Sequence, residues 1–570
     1  MRRTVIFQTC AIAGVLGAIG SAALVAQTAT RAAASAPGRA STPATPVAID
    51  RIRSNAIAAH VKFLADDLLE GRAPATRGGD LAAKYIASEF ERIGLEPAGE
   101  NGTYFQPVPI VESTTRPGLT LTARGGTGRS ESFTAPTDFV AGSGLEASAI
   151  PIDAPIVFVN HGIVAPEYQW NDYAGLDVKG KIVLAMVNEP AAPASEPALF
   201  AGKALTYYGR WIYKFEEAAR QGAAGAILIH TPESATYPWA VVQNSWGGTT
   251  YGIPAAPGEP RLALKAWATD AAAKRLVAAG GQDLDALRKG AFTRGAKPVD
   301  LGVTLIGSLE QQVQRKISPN VIGVLKGTKP DESIIYSGHY DHLGMRATGD
   351  GDRIYNGARD NASGVAAILE IAEALVATRP KPARSIYFVS TTGEESGLLG
   401  SEYLALHPVM PIDKVAANIN IDSLNVYGPS RELVLLGVER SSLLADVQAA
   451  VARWHRTLGE DEHPERGYFF RSDHFPLAKA GVPAVSITMG NSASFTGPNA
   501  ARARKLSDAY NETCYHQPCD EFSKDWDLTG AVEDLQLLAD LGWRVANDAK
   551  MPRYKPTEQF ARPRAPASSR

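Results

Sequence analysis

Residues 333–341 read SIIYSGHYD. The first half is β-branched and aromatic, as a strand buried on both faces requires. The run stops at small residues, and His339 and Asp341 follow at once. The same grammar recurs outward from this stretch. The loop NGARDNASG (356–364) carries Asp360 and opens onto the long apolar run GVAAILEIAEALVAT (364–378), which predicts an amphipathic or buried helix. SIYFVS (385–390) is followed by Glu394 and Glu395, and ANINI (417–421) by Asp422. AVSITM (484–489) reads as a further strand, with helices such as SSLLADVQAAVARW (441–454) between. Strands alternating with helices predict an α/β layered fold. In open α/β sheets ligands bind beyond the carboxyl ends of strands. The sequence therefore predicts several acids and a histidine at one rim of the sheet.

Such a cluster restricts the chemistry. Crowded carboxylates do not all stay ionised unless positive charge lies among them. One or two divalent cations would supply it, and mixed His and Asp/Glu donors suit zinc, with manganese or cobalt as alternatives. His339 and Asp341 are two apart, so in an extended segment they face one way, and Asp341 is placed to hold the far ring nitrogen of His339. Competing readings are simpler: Asp360 or Asn361 as a helix cap, Glu394 and Glu395 as a solvated pair, His60 as a structural histidine, and His342 and His474 as structural or substrate-side.

The rest of the 570 residues bounds the class. Length predicts several domains, and a net charge of −3 with interspersed signs points to neither nucleic acid nor a membrane surface. Arg2 and Arg3, an apolar run from Val5 to Val25 and small residues around Ala26 read as a signal peptide over 1–26. Export to the periplasm or medium is expected, without stable membrane insertion after cleavage. An Ala/Ser/Thr/Pro-rich linker is expected over 27–50. In an oxidising compartment Cys514 and Cys519 predict a local disulfide, and a metal site using both thiolates with His516 is the rival. From 141 to 297 the texture shifts to short β-rich runs, APIVFVN, KIVLAMV and GAILIH, with one helix at KFEEAARQG. This predicts a separate domain between two parts of the main one, 51–140 and 298–550, with a C-terminal tail over 551–570.

The motifs SGHYDHLG, NGARDNASG, TTGEESGLLGS, NINIDS and YHQPCDE, in that order, resemble the co-catalytic zinc exopeptidases of family M28. The resemblance covers about 318–545, and also HVKFLADDLLEGR (60–72) with the helix after it. It implies a mixed, mostly parallel sheet sandwiched by helices. It implies two Zn2+ ions, with His339, Asp360, Glu395, Asp422 and His516 as ligands: Asp360 bridging, His339 and Asp422 on one ion, Glu395 and His516 on the other. Asp341 would orient His339, Glu394 would be the general base for metal-activated water attack, and Tyr515 would steady the oxyanion. Arg471 in FFRSDHF would face the substrate. The middle segment, with DVKGKIVLAMV and GAAGAILIH, resembles a protease-associated (PA) domain. The implied activity is removal of N-terminal amino acids from peptides with a free N-terminus. A carboxypeptidase of the same superfamily, a non-catalytic binding protein on this fold and a two-metal phosphoesterase stay open as alternatives, as does the oligomeric state.

Overall fold

The structure, a computed structural model, describes residues 47–561 apart from 127, 236, 247, 347–349, 489 and 490. The expected signal peptide, most of the linker and the last nine residues of the tail lie outside the described residues. No described helix is long and apolar enough to cross a membrane.

Four parallel strands form the heart of a mixed sheet: Arg384–Thr391, Lys329–His339, Val415–Ile421 and Ala484–Thr488, in that spatial order. Antiparallel neighbours close both sides, the strand Val299–Leu325 beside Arg384–Thr391 and the strand Glu432–Leu436 beside Ala484–Thr488. Side-chain alternation then serves two cores. Ile334, Tyr336, Ile386 and Phe388 face the helices Ser54–Leu64, Arg77–Ile93, Ser363–Ala377 and Thr529–Asn547. Ile322, Ile335 and Val389 face the other way, onto Leu404 and Leu477. Helices thus cover both faces, as a doubly buried parallel sheet demands. The helix Ser363–Ala377 is central, and even Ser363, Gly364 and Glu370 are buried. That burial explains why its sequence shows little polar stripe.

A second β-layer has its own cores. Strands Ala149–Phe158, Ile182–Met186, Gly225–His230 and Leu264–Thr269 run parallel in that order, with the helix Trp211–Arg220 on one side. The core on the other side draws on residues from Leu119 to Leu309, wider than the stretch 141–297 that composition marks off. The reason is the hairpin Thr120–Gly125 and Ser130–Thr134, which pairs with Val303–Gly307 and completes that face. The 27-residue strand Val299–Leu325 belongs to both layers, pairing first with Ala149–Phe158 and later with Phe105–Thr115 and Arg384–Thr391. An aromatic seam of Phe200, Tyr207 and Tyr213 against Phe470, Phe475 and Phe560 joins the layers. Phe560 comes from the expected tail, where Glu558 also pairs with Arg440 at 2.9 Å.

Candidate metal centre

Parallel pairing aligns the strand ends. His339 stands opposite Thr391, and Ser337 opposite Asn420, so Glu394, Glu395 and Asp422 emerge beside His339. Asp360 comes from the loop that opens the helix Ser363–Ala377. The helix-capping bond there is made by Asn361, not Asp360: its Oδ1 accepts from Gly364 N at 2.9 Å and from Ser423 N at 2.9 Å, and its Nδ2 donates to Ile421 O at 3.0 Å. Asn361 thereby ties the Asp360 loop to the strand end bearing Asp422, and leaves the Asp360 carboxylate free.

The two oxygens of Asp360 face different histidines. Oδ1 lies 3.3 Å from His339 Nε2, and Oδ2 lies 3.2 Å from His516 Nε2. His339 Nε2 is also 3.3 Å from Asp422 Oδ1 and 4.0 Å from Glu394 Oε2. His516 Nε2 is 3.1 Å from Glu395 Oε2. Ligand atoms of His339, Asp360 and Glu395 lie within 4.8 Å of one another, as do those of His339, Glu394 and Asp422. The structure thus gathers all five expected ligands, and Glu394, at one place. A set of imidazole nitrogens and carboxylate oxygens this close is a donor set that fits divalent zinc, manganese or cobalt.

Charge in the cluster is unbalanced. Burial works against a charged His339, yet Glu394 and Asp422 hold its pKa well above the ordinary value. His516 behaves likewise: burial opposes its charge and Glu395 overcomes it. Adjacent glutamates are driven apart. Burial pushes the Glu394 carboxyl well up, with Asp422, Glu395 and Asp473 adding to it and His339 opposing. Burial would raise Glu395 too, but His516 and His342 hold it down at about 2.

Outer partners differ in part from the sequence reading. His339 Nδ1 lies 3.2 Å from the backbone oxygen of Asp341 and 3.9 Å from its Oδ1. The strand ends at His339, so strand alternation does not carry to residue 341. The Asp341 carboxylate instead accepts from Glu394 N at 3.1 Å and thus fixes the glutamate loop. His342, read as structural or substrate-side, is buried with Nδ1 2.7 Å from Glu395 Oε1. Asp520 was not foreseen. Its oxygens accept from Arg359 N and Asp360 N, each at 3.0 Å, and from the Tyr510 hydroxyl at 3.0 Å. Its place just after CYHQPC was the only available signal. Asp473, also unforeseen, is buried beside the centre and accepts from Thr391 Oγ1 at 2.5 Å.

Tyr515 stacks on the His516 ring at 3.9 Å and is 48 % exposed. Partial desolvation and the neighbouring carboxylates of Asp360, Glu395, Glu394 and Asp422 raise its phenol well above the ordinary value, so it is a proton donor at neutral pH. Cys514 and Cys519 form a disulfide across the turn that presents Tyr515 and His516, so the thiolate-metal alternative falls. Arg471 donates to Arg466 O at 2.7 Å and lies over the Tyr468 ring, contacts outside the five-ligand cluster.

Residues 320–539 match the model of Peptidase family M28. Leupeptin-inactivating enzyme 1 of Streptomyces exfoliatus is 26% identical over 205 residues, 36% of this chain and 43% of that protein. A probable zinc metalloprotease of Pyricularia oryzae is 46% identical over 93 residues, 16% of this chain and 17% of that protein. The chain thus spans less than half the length of either relative. Among solved structures, an aminopeptidase from Aneurinibacillus sp. strain AM-1 aligns over 89% of this chain and 96% of its own, at 19% identity and a TM-score of 0.46. The stretch that matches the Peptidase family M28 model, residues 320–539, is the one that brings His339, Asp360, Glu395, Asp422 and His516 to one rim.

Proposed function

We propose that this protein is an exported, zinc-dependent exopeptidase that removes N-terminal amino acids from peptides. One observation carries the reading: the Asp360 carboxylate spans two histidine-acid pairs, His339 with Asp422 and His516 with Glu395. Those five residues would hold two ions, with Asp360 shared. Bound there, the ions would polarise the scissile carbonyl and acidify water. Glu394 sits 4.0 Å from His339 Nε2, stands outside the five residues assigned to the ions, and serves as general base. Its carboxylate takes a proton from water and returns it to the departing amine. The neutral Tyr515 hydroxyl donates a hydrogen bond to the oxyanion.

The acid-rich rim favours a substrate with a free α-ammonium. Of the cations that a carboxypeptidase reading would use (Arg346, Arg353, Arg359 and Arg471), Arg359 is buried with its guanidinium 4.0 Å from the Tyr510 ring centre, Arg346 lies over Tyr355 and Arg471 over Tyr468. Export is supported by the signal-like pattern in 1–26 and by the Cys514–Cys519 disulfide, which suits an oxidising compartment. The β-layer around 141–297 is read as a PA-like insert that shapes access to the rim.

The test pairs metal analysis of protein purified without chelators with two substrates. An amino-acyl anilide should be cleaved, and an N-blocked peptide with a free carboxylate should not. Cleavage of the blocked peptide alone would establish the carboxypeptidase instead, and protein without stoichiometric metal would favour the binding-protein reading.

A further inference from the structure

HVKFLADDLLEGR ends in Arg72, a cation buried with no exposed surface, about 270 residues upstream of the strand that bears His339. Among the described residues its guanidinium makes no hydrogen bond to a carboxylate. Nε donates to Tyr340 O at 2.8 Å, Nη2 to Gly357 O at 2.9 Å, and Nη1 to Leu64 O at 2.5 Å and to Asn356 O. Tyr340 stands between His339 and Asp341. Asn356 and Gly357 lead directly into Arg359 and Asp360. One planar fork therefore spans the two loops that deliver the first ligand and the shared ligand. Backbone on both sides is drawn in with it: Asn356 Nδ2 donates to Ala65 O and to Asp67 Oδ1, each at 2.8 Å, and a Cβ on Gly71 would meet Gly344 O at 2.3 Å and Tyr355 O at 2.6 Å.

We propose that Arg72 is a positioning residue of the metal centre: it sets the separation of the His339 and Asp360 loops, and its charge offsets the crowded carboxylates. The inference rests on the metal-centre reading above. Two features separate it from an ordinary buried arginine. All four acceptors are backbone carbonyls, three of them beside the centre, so the fork fixes loop geometry and not a side-chain pair. Burial lowers its guanidinium only to about 10, with Asp341, Asp520, Asp360 and Glu395 pulling it back up, so it stays charged at neutral pH. Lysine would keep the charge, but a compact ammonium does not reproduce the planar fork.

The test uses the full chain as wild type, Arg72→Lys and Arg72→Met. The readouts are Zn2+ affinity by chelator competition, the visible spectrum of the Co2+-loaded protein and the melting temperature of the metal-free protein. Arg72→Lys should weaken Zn2+ binding about tenfold or more and alter the Co2+ spectrum, and Arg72→Met should lose more affinity. Unchanged affinity and spectrum in Arg72→Lys, with only a lower metal-free melting temperature, would overturn the proposal by reducing Arg72 to a fold residue. If the Arg72 variants fail to fold, Asn356→Ala decides. It releases the same strap at Ala65 and Asp67, and should weaken Zn2+ binding by about threefold; an unchanged affinity would overturn the proposal. Wild-type protein that binds no Zn2+ would refute the metal-centre reading itself, a result distinct from wild type and Arg72→Lys binding equally.

Discussion

Two buried charge clusters in this protein differ in one respect. In the second β-layer, Lys214 is buried among Glu189 and Asp172. Its Nζ donates to Asn188 O at 2.8 Å and Tyr208 O at 2.6 Å. Asp172 accepts from Ile163 N at 3.0 Å and Trp170 Nε1 at 2.9 Å, and Glu189 from Thr206 N at 2.9 Å and the Thr206 hydroxyl. Burial brings the three groups toward one another, Lys214 down to about 7, Glu189 up to about 7 and Asp172 up to about 6. That cluster carries one cation against two acids, and hydrogen bonds within the layer satisfy each member. At the rim of the first sheet, Asp341, Asp360, Glu394, Glu395 and Asp422 crowd around His339 and His516, and buried atoms such as Asp341 Oδ2 and His342 Nε2 find no partner. A self-satisfied network stabilises a fold, whereas one left short of positive charge is built for something that arrives from outside.

The contrast is sharpest at Glu394. Glu394→Gln should cut kcat by about a thousandfold while metal content stays at the wild-type level, since this carboxylate moves a proton and is not assigned to an ion. Steady-state kinetics beside elemental analysis check it, and loss of metal would make Glu394 a ligand instead. Next in size is the support beneath the shared ligand. Asp520→Ala strips the acceptor from two buried N–H groups beside Asp360, and should lower Zn2+ affinity about 10- to 100-fold, read by chelator competition. Chelation should then separate the two clusters thermally. Removing the cations leaves the rim carboxylates repelling one another, so the wild-type melting temperature should fall by several degrees. The shift caused by Lys214→Met should be the same with and without chelator. The smallest effect is a pH dependence. Glu189 has a folded pKa near 7, above its unfolded value, so the folded state holds its proton more tightly and this contribution is lost as pH rises through about 7. Glu189→Gln removes that dependence. The wild-type advantage in melting temperature over the variant should shrink by a few degrees between pH 5 and pH 8.

Much of the first sheet was legible because its signals are local. An apolar β-branched run followed at once by an acid or a histidine marks both a strand and its end, which is why His339, Glu394, Glu395 and Asp422 were readable. Partners supplied by other loops were not. Nothing local says that Asp520 receives the N–H of Asp360, that Asp341 serves the glutamate loop, or that His342 holds Glu395, because each depends on loops that meet only after folding. Composition also placed the second β-layer too narrowly, since the hairpin at 120–134 looks like any short β-rich run until it pairs with the long strand Val299–Leu325.

The amino-acid order alone determined which elements form, where their ends fall and which donor types stand there, because propensity, burial pattern and strand-end chemistry are written within a few residues of each other. Tertiary structure alone decided which oxygen faces which histidine, that a single buried arginine spans two ligand loops, and that one charge cluster is closed while the other is open. Those facts are distances between segments far apart in the chain, fixed only when parallel strands take their register and the helices pack over them.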